Sequence, residues 1–295
     1  MPSGALLFQS VILGLLLGGL YALLASGLTL YFGIMRVVMI AHSAFLILAA
    51  YLAWYLHESV GLDPLLSMIG TVPLFFAAGV GLQRALLTRL RPATLTMMSV
   101  LLTFAIALLI EGLLGYAFTG TQRRINLGYS SAGLELFGAR IAVVKLIAFG
   151  LAAVALTTLY LLLKRTKFGW ALRATIQHRD AARLLGIDTD RVAGFGFGIG
   201  LATAAIGGTA LSLDTTIYPS LHWHWIGPLM AIIVVGGLGS VPGAAIAAMI
   251  LGLAQSLLQI PLGTTWAQTV FYVALFATLA FRPQGFFGGR LAQRF

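Results

Sequence analysis

Residues 8–32 read FQSVILGLLLGGLYALLASGLTLYF, 25 positions without one charged side chain. At 1.5 Å per residue a helix of that length covers about 38 Å, more than the roughly 30 Å of hydrocarbon in a bilayer. It has no polar face to turn towards water, so it reads as a span inside a membrane-embedded bundle. Further apolar runs occupy residues 37–56, 65–87, 96–118, 141–163, 192–213 and 266–281, and a glycine-interrupted run fills 226–260. Composition agrees, with 60% hydrophobic and 9% charged residues among 295, where soluble domains carry about 25% charged. The expected fold is an all-α polytopic membrane protein: one transmembrane domain over residues 1–295, with about eight to nine helices. These include a broken or re-entrant pair and leave room for an internal inverted repeat. No basic residue precedes the first run, which is also longer than a signal core, so it is expected to stay in the mature protein.

Charge placement sets an orientation. Basic residues gather in alternate connections: Arg36; then Arg84, Arg89 and Arg91; then Lys164, Arg165, Lys167, Arg173, Arg179, Arg183 and Arg191; then Arg282, Arg290 and Arg294. Fourteen of the 18 cations lie there, so the net charge of +10 records topology rather than nucleic-acid binding. The positive-inside rule makes those connections cytoplasmic, with the N-terminus external and the C-terminus internal. The absence of cysteine excludes disulfides and thiolate chemistry. No nucleophile–base–acid set and no metal-ligand spacing is visible, so neither an enzyme nor a cofactor is expected.

Three segments interrupt the apolar pattern. In the first, residues 33–43, His42 and Ser43 follow a break at membrane depth, where an ionisable group either faces a cavity or serves as hydrogen-bond glue between helices. Both readings stay open. The second is the run Gly236, Gly237, Leu238, Gly239, Ser240, Val241, Pro242, Gly243, whose backbone lines either a path or a tight turn between helices. The third, residues 164–191, is the long mixed-charge stretch; it holds two short helices, with Asp180 as a cap and Gly186 as a C-terminal glycine. Small residues such as Ala171 and Ala174 favour docking of a protein partner over an interfacial helix lying on anionic lipid. Glu111 reads as a structural pair, and His222-Trp223-His224-Trp225 as an interface anchor.

Read together, these blocks resemble the integral-membrane permease family of bacterial branched-chain amino-acid ATP-binding-cassette importers, a group that also serves urea, short amides and some aromatic acids. The resemblance rests on Gly19-Leu20-Tyr21-Ala22-Leu23 through Ala41-His42, on Gly169-Trp170-Ala171-Leu172-Arg173-Ala174 with Ala182-Arg183-Leu184-Leu185-Gly186-Ile187, on the 236–243 loop, and on Arg282-Pro283-Gln284-Gly285-Phe286-Phe287-Gly288. It implies a subunit of the bacterial inner membrane. Its partners would be a second permease, two cytoplasmic ATPases and an external solute-binding protein, with lipid around it and no nucleic acid. The resemblance also implies that Gly169, Ala171, Leu172, Arg173, Ala174, Ala182, Leu185 and Gly186 seat in an ATPase groove. Tyr21, His42, Ser43, Gly236, Gly237, Leu238 and Gly239 would border the substrate path. The chain has no phosphate-binding loop of its own, so energy would come from the partner.

Three departures bear on the solute. Met39-Ile40-Ala41-His42-Ser43 stands where the family usually has Asn-x-Ala-His-Gly, Pro228 stands where a cation is common, and Gln255 where an acid is common. Each removes polarity, which keeps a less charged or more aromatic solute beside branched-chain amino acids. A self-sufficient channel or ion-coupled carrier is the rival from another class, since interrupted helices suit it equally.

Overall fold

The computed structural model describes residues 4–35, 37, 39–86, 88, 95–128, 133–136 and 139–288. The topology markers Arg36, Arg89, Arg91, Arg290 and Arg294 lie outside the described residues. The helices are α1 (Gly4–Met35), α2 (Ala41–Val60), α3 (Pro64–Ala85), α4 (Leu95–Phe118), α5 (Val143–Arg165), α6 (Lys167–Gln177), α7 (Arg179–Leu184), α8 (Thr189–Asp214), α9 (His222–Gly236), α10 (Val241–Ala267) and α11 (Thr269–Phe281). A hairpin of β1 (Gly133–Leu136) and β2 (Ala139–Ala142), pairing Leu136 with Ala139, is the one sheet among the described residues.

Seven of the described helices are long and apolar enough to cross a membrane: α1 to α5, α8 and α10. The stretch 226–260 divides into two helices: α9, of 15 residues, and α10, which runs for 27 and breaks at Gly263 (φ 78°, ψ 171°). With α11, of 13 residues, α9 is too short to span 30 Å singly. The seven crossing helices and these two partial ones account for the expected eight to nine.

Lipid offers no hydrophobic drive for helix association, so these helices meet where small residues let backbones approach. α8 is the axis: 83% of its apolar stretch is buried, against 17% for α5. A Cβ on Gly18 of α1 would sit 2.7 Å from the Met249 Cα of α10, and one on Gly79 of α3 would sit 2.8 Å from the Gly198 Cα of α8. Those two antiparallel pairs frame the core.

The basic connections share one end of the bundle. Arg84 lies beside Gly194 near the start of α8, Arg173 borders the same cleft as Gly239, and Gly285 packs on Gly237. At the far end Lys145 pairs with Asp214 at 2.6 Å, Arg123 bridges to Ile217 and stacks over Trp54, and Asp63 caps α3 through the Leu65 amide at 2.8 Å. Between the ends, residues 37 and 39 lie inside the protein outside any helix. Val37 and Met39 are fully buried, and the Ile40 amide donates to Thr103 Oγ1 at 3.3 Å. Non-helical backbone survives at this depth because protein groups satisfy it. The expected span from Val37 therefore begins as helix at Ala41.

Candidate permeation path and coupling surface

The mixed-charge segment forms a platform at the basic end. Thr166 Oγ1 accepts the Gly169 amide and starts α6. His178 Nδ1 accepts the Ala181 amide and starts α7, so the cap is His178, while Asp180 lies in the first turn facing Arg183. Gly186 ends α7 in the left-handed region at φ 81°. Arg179 and Arg183 hold Asp190 at 2.6 and 3.3 Å, fixing α7 to the base of α8. Leu172, Thr175 and Ala182 face inward, Ala171 and Ala174 are half-buried, and Gly169 lies against the Leu163 carbonyl. Outward stand Trp170 (66% exposed), Leu184 (90%) and Leu185 (80%), while Ile176, also exposed, borders the cleft on the inner side. Apolar side chains this bare at the basic end are a candidate docking face. Arg173 borders that face, half-buried: it donates to the Leu163 carbonyl at 2.6 Å and stacks over Trp170.

The interrupted segments of the two halves meet above this platform. The loop from α9 to α10 turns through Gly237 (φ 94°) and Gly239 (φ 85°), conformations that side chains rarely tolerate. A Cβ on Gly239 would stand 3.0 Å from the Gly33 Cα at the end of α1. Gly236 abuts Ala244, Leu238 is half-buried against the core, and Gly237 is pressed against Gly285 and Gly288. The Phe286 amide donates to the Val235 carbonyl at 2.9 Å, which straps the 282–288 segment to the loop. Ser240 Oγ accepts the Gly243 amide and begins α10. Beside the loop a cleft of about 100 Å³ opens between Leu30, Ile34, Leu163, Leu172 and Pro242, with Lys164 and Arg173 on its border. Over Gly196 of α8, Ile34 of α1 and Leu172 of α6 converge, so side-chain packing runs from α6 to α1 and through Gly33 to Gly239.

Deeper in the bundle, His42 Nε2 donates to the Leu24 carbonyl at 2.8 Å; a carbonyl only accepts, so that nitrogen carries the hydrogen. Nδ1 is buried without a partner, and the ring stands edge-on to Tyr31, 5.6 Å between centroids. Ser43 Oγ donates to the Ile40 carbonyl at 3.2 Å and secures the start of α2. A void of about 10 Å³, the size of one water, lies against Met39, His42, Ser43, Leu28, Ile226 and Met230. Towards the far end, the Tyr21 hydroxyl donates to Gln255 Oε1 at 2.7 Å, and its ring meets Trp225 and Phe271 edge-on at 5.7 and 5.3 Å. The Trp225 indole nitrogen is buried without a partner.

The structure thus brings Tyr21 together with Gln255, and His42 with Ser43, while the glycine loop joins the platform instead. Phe271 escaped the sequence reading, and Trp225 was read there as an interface anchor rather than as part of this cluster. Of the aromatic-histidine run, Trp223 is exposed and donates to Glu111 at 3.0 Å, as a structural pair. His222 and Trp225 are core residues. The spacing Trp225, Leu229, Ile232, at i, i+4 and i+7, carried the inward face in the sequence. Among the described residues no group of three His, Asp or Glu side chains is placed to hold a metal.

Comparison with known proteins gives this arrangement a context. Residues 10–279 match the family described as branched-chain amino acid transport system / permease component. The high-affinity branched-chain amino acid transport system permease protein LivH of Escherichia coli K12 is 28% identical, over 95% of both chains. The probable branched-chain amino acid transport permease protein LivH of Methanocaldococcus jannaschii is 30% identical, over 91% of this chain and 89% of its own. BraD of Pseudomonas aeruginosa, a high-affinity permease protein of the same kind, is 24% identical over 95% of both. No solved structure matches. The seven crossing helices, the two interrupted segments in contact and the platform beneath them are features of a transport subunit, and the chain belongs to the permease component family of branched-chain amino acid transport systems.

Proposed function

We propose that the chain is the permease of an ATP-driven importer for branched-chain or similarly apolar amino acids, opening alternately to either face as separate ATPases close and reopen. The observation that carries this reading is the platform of α6 and α7, with bare Trp170, Leu184 and Leu185 on one side and, on the other, packing from Leu172 through Ile34 and Gly33 to Gly239. An ATPase seated on α6 and α7 would move the end of α1 and the α9–α10 loop as one body, which is what gating requires. The basic end is then cytoplasmic, with the N-terminus outside and the C-terminus inside. Solute would come from an external binding protein at the far end and pass the Tyr21–Gln255–Trp225–Phe271 cluster, then His42 and Ser43, then Gly236 to Gly239. A second permease would complete the path.

The side chains along this column, Tyr21, Gln255, Trp225, Phe271, Met39, His42 and Ser43, include no Asp, Glu, Lys or Arg. That supports an apolar solute, and the edge-on rings at Tyr21 favour an aromatic acid as the second reading. Because the chain has no cysteine, a single Leu185→Cys site can be labelled cleanly with a photoreactive maleimide on the purified chain before the importer is assembled. Cross-linking to the ATPase subunit from position 185, and none from Tyr116→Cys on exposed α4, is the expected result. Equal labelling of lipid from both sites would reject the docking face.

A further inference from the structure

We propose that the groove between α10 and α11 binds an anionic phospholipid of the leaflet at the basic end, with an acyl chain between the helices and the phosphate on Arg282. The groove encloses about 600 Å³ and exists because Ala247 of α10 faces Ala274, Ala277 and Thr278 of α11, where larger residues would interdigitate. Phe281, Phe286 and Phe287 wall it. Ala274 lies eight residues before Arg282, about 12 Å along a helix, against roughly 15 Å of hydrocarbon in one leaflet. An acyl chain reaching in from the level of Arg282 therefore fills most of this depth. The groove is apolar along its length and cationic at its mouth, where the exposed Arg282 guanidinium lies 5.9 Å from the Phe286 ring. Arg290 and Arg294 follow in sequence, and no acidic residue occurs after Asp214. A basic mouth in a stretch of sequence without acids suits an anionic head group. The same charges disfavour a second copy of this chain on this face, since a two-fold axis along the membrane normal would set Arg282 against Arg282.

The groove also touches the gate region. Phe286 and Phe287 belong to the strap whose Phe286 amide holds the Val235 carbonyl, and Gly285 and Gly288 of that strap press on Gly237. A bound lipid braces the α9–α10 loop from outside. Only this consequence rests on the transport reading; binding itself does not.

Native mass spectrometry of the intact importer, released from nanodiscs of equal phosphatidylglycerol and phosphatidylcholine, reads binding without reference to uptake. The expected result is retention of phosphatidylglycerol about fivefold over phosphatidylcholine, the preference that one juxtamembrane cation confers. Arg282→Gln, a change at an exposed position, should bring the two lipids to parity, and Ala277→Phe should remove the adduct whichever head group is present. Adducts unchanged in Ala277→Phe, or an efficient disulfide between two copies of Ala274→Cys, would overturn the proposal, the latter by showing that the second permease covers this face. Lipid binding as expected, with no uptake by the wild-type importer, would instead count against the transport reading alone.

Discussion

His42 holds one hydrogen bond and one orphaned nitrogen at the centre of the bundle, and those two atoms separate its two roles. If it were only glue, the Nε2 bond to the Leu24 carbonyl would be its whole contribution, about 1 kcal/mol. A glutamine retains a side-chain N–H near that carbonyl but has no counterpart to the unpartnered Nδ1. His42→Gln is therefore expected to keep the thermal midpoint within a few degrees of wild type while uptake falls at least about tenfold, the loss that one ordinary hydrogen bond in the transport path explains. Normal uptake in that variant would return His42 to a packing role. Gly239 gives a second test at this scale. Its φ of 85° and the 3.0 Å left between an added Cβ and the Gly33 Cα make Gly239→Ala strained by about 1–3 kcal/mol. Uptake should fall while α6 and α7 still bind the ATPase, as measured by co-purification. Unimpaired uptake would mean that the Gly33–Gly239 contact does not move in the cycle.

Among the elements, α6 and α7 separate docking from fastening. Burying Leu184, Leu185 or Trp170 against a partner is worth about 1.5–3 kcal/mol each, so Leu185→Glu should weaken ATPase association at least about tenfold. Arg173 is tied to the Leu163 carbonyl, and Arg173→Glu should instead loosen α6 on α5, lowering stability with a smaller effect on association. Equal binding by Leu185→Glu and wild type would remove α7 from the interface. These elements were legible because their amphipathic pattern and charges differ from the spans on either side. The two caps show the limit of such reading. Asp180 has the right residue type, yet His178 takes the position, because its backbone is extended and its ring nitrogen reaches the Ala181 amide. The start of α2 was hidden for a similar reason. Its break is stabilised by Thr103, 63 residues away in sequence, which no local pattern reports.

For the molecule as a whole, exclusion of charge from hydrocarbon made the span positions readable, and the alternation of basic connections anticipated which loops share an end. Packing order was less legible, since α1 and α8 are central through glycines whose partners lie on distant helices. The polar column was read in part. Tyr21, His42 and Ser43 stand out as polar groups in apolar runs, whereas Trp225 and Phe271 resemble any other aromatic until α9 and α11 are folded beside α1. The central claim is that this fold gates for an external engine. Its most direct test is uptake of radiolabelled leucine into proteoliposomes containing the chain alone, or the chain with its partner permease, ATPases and binding protein, with ATP on the ATPase side. The account predicts accumulation only in the full complex, abolished by Leu185→Glu. Uptake by the chain alone, indifferent to ATP, would contradict it and establish a self-sufficient channel or carrier.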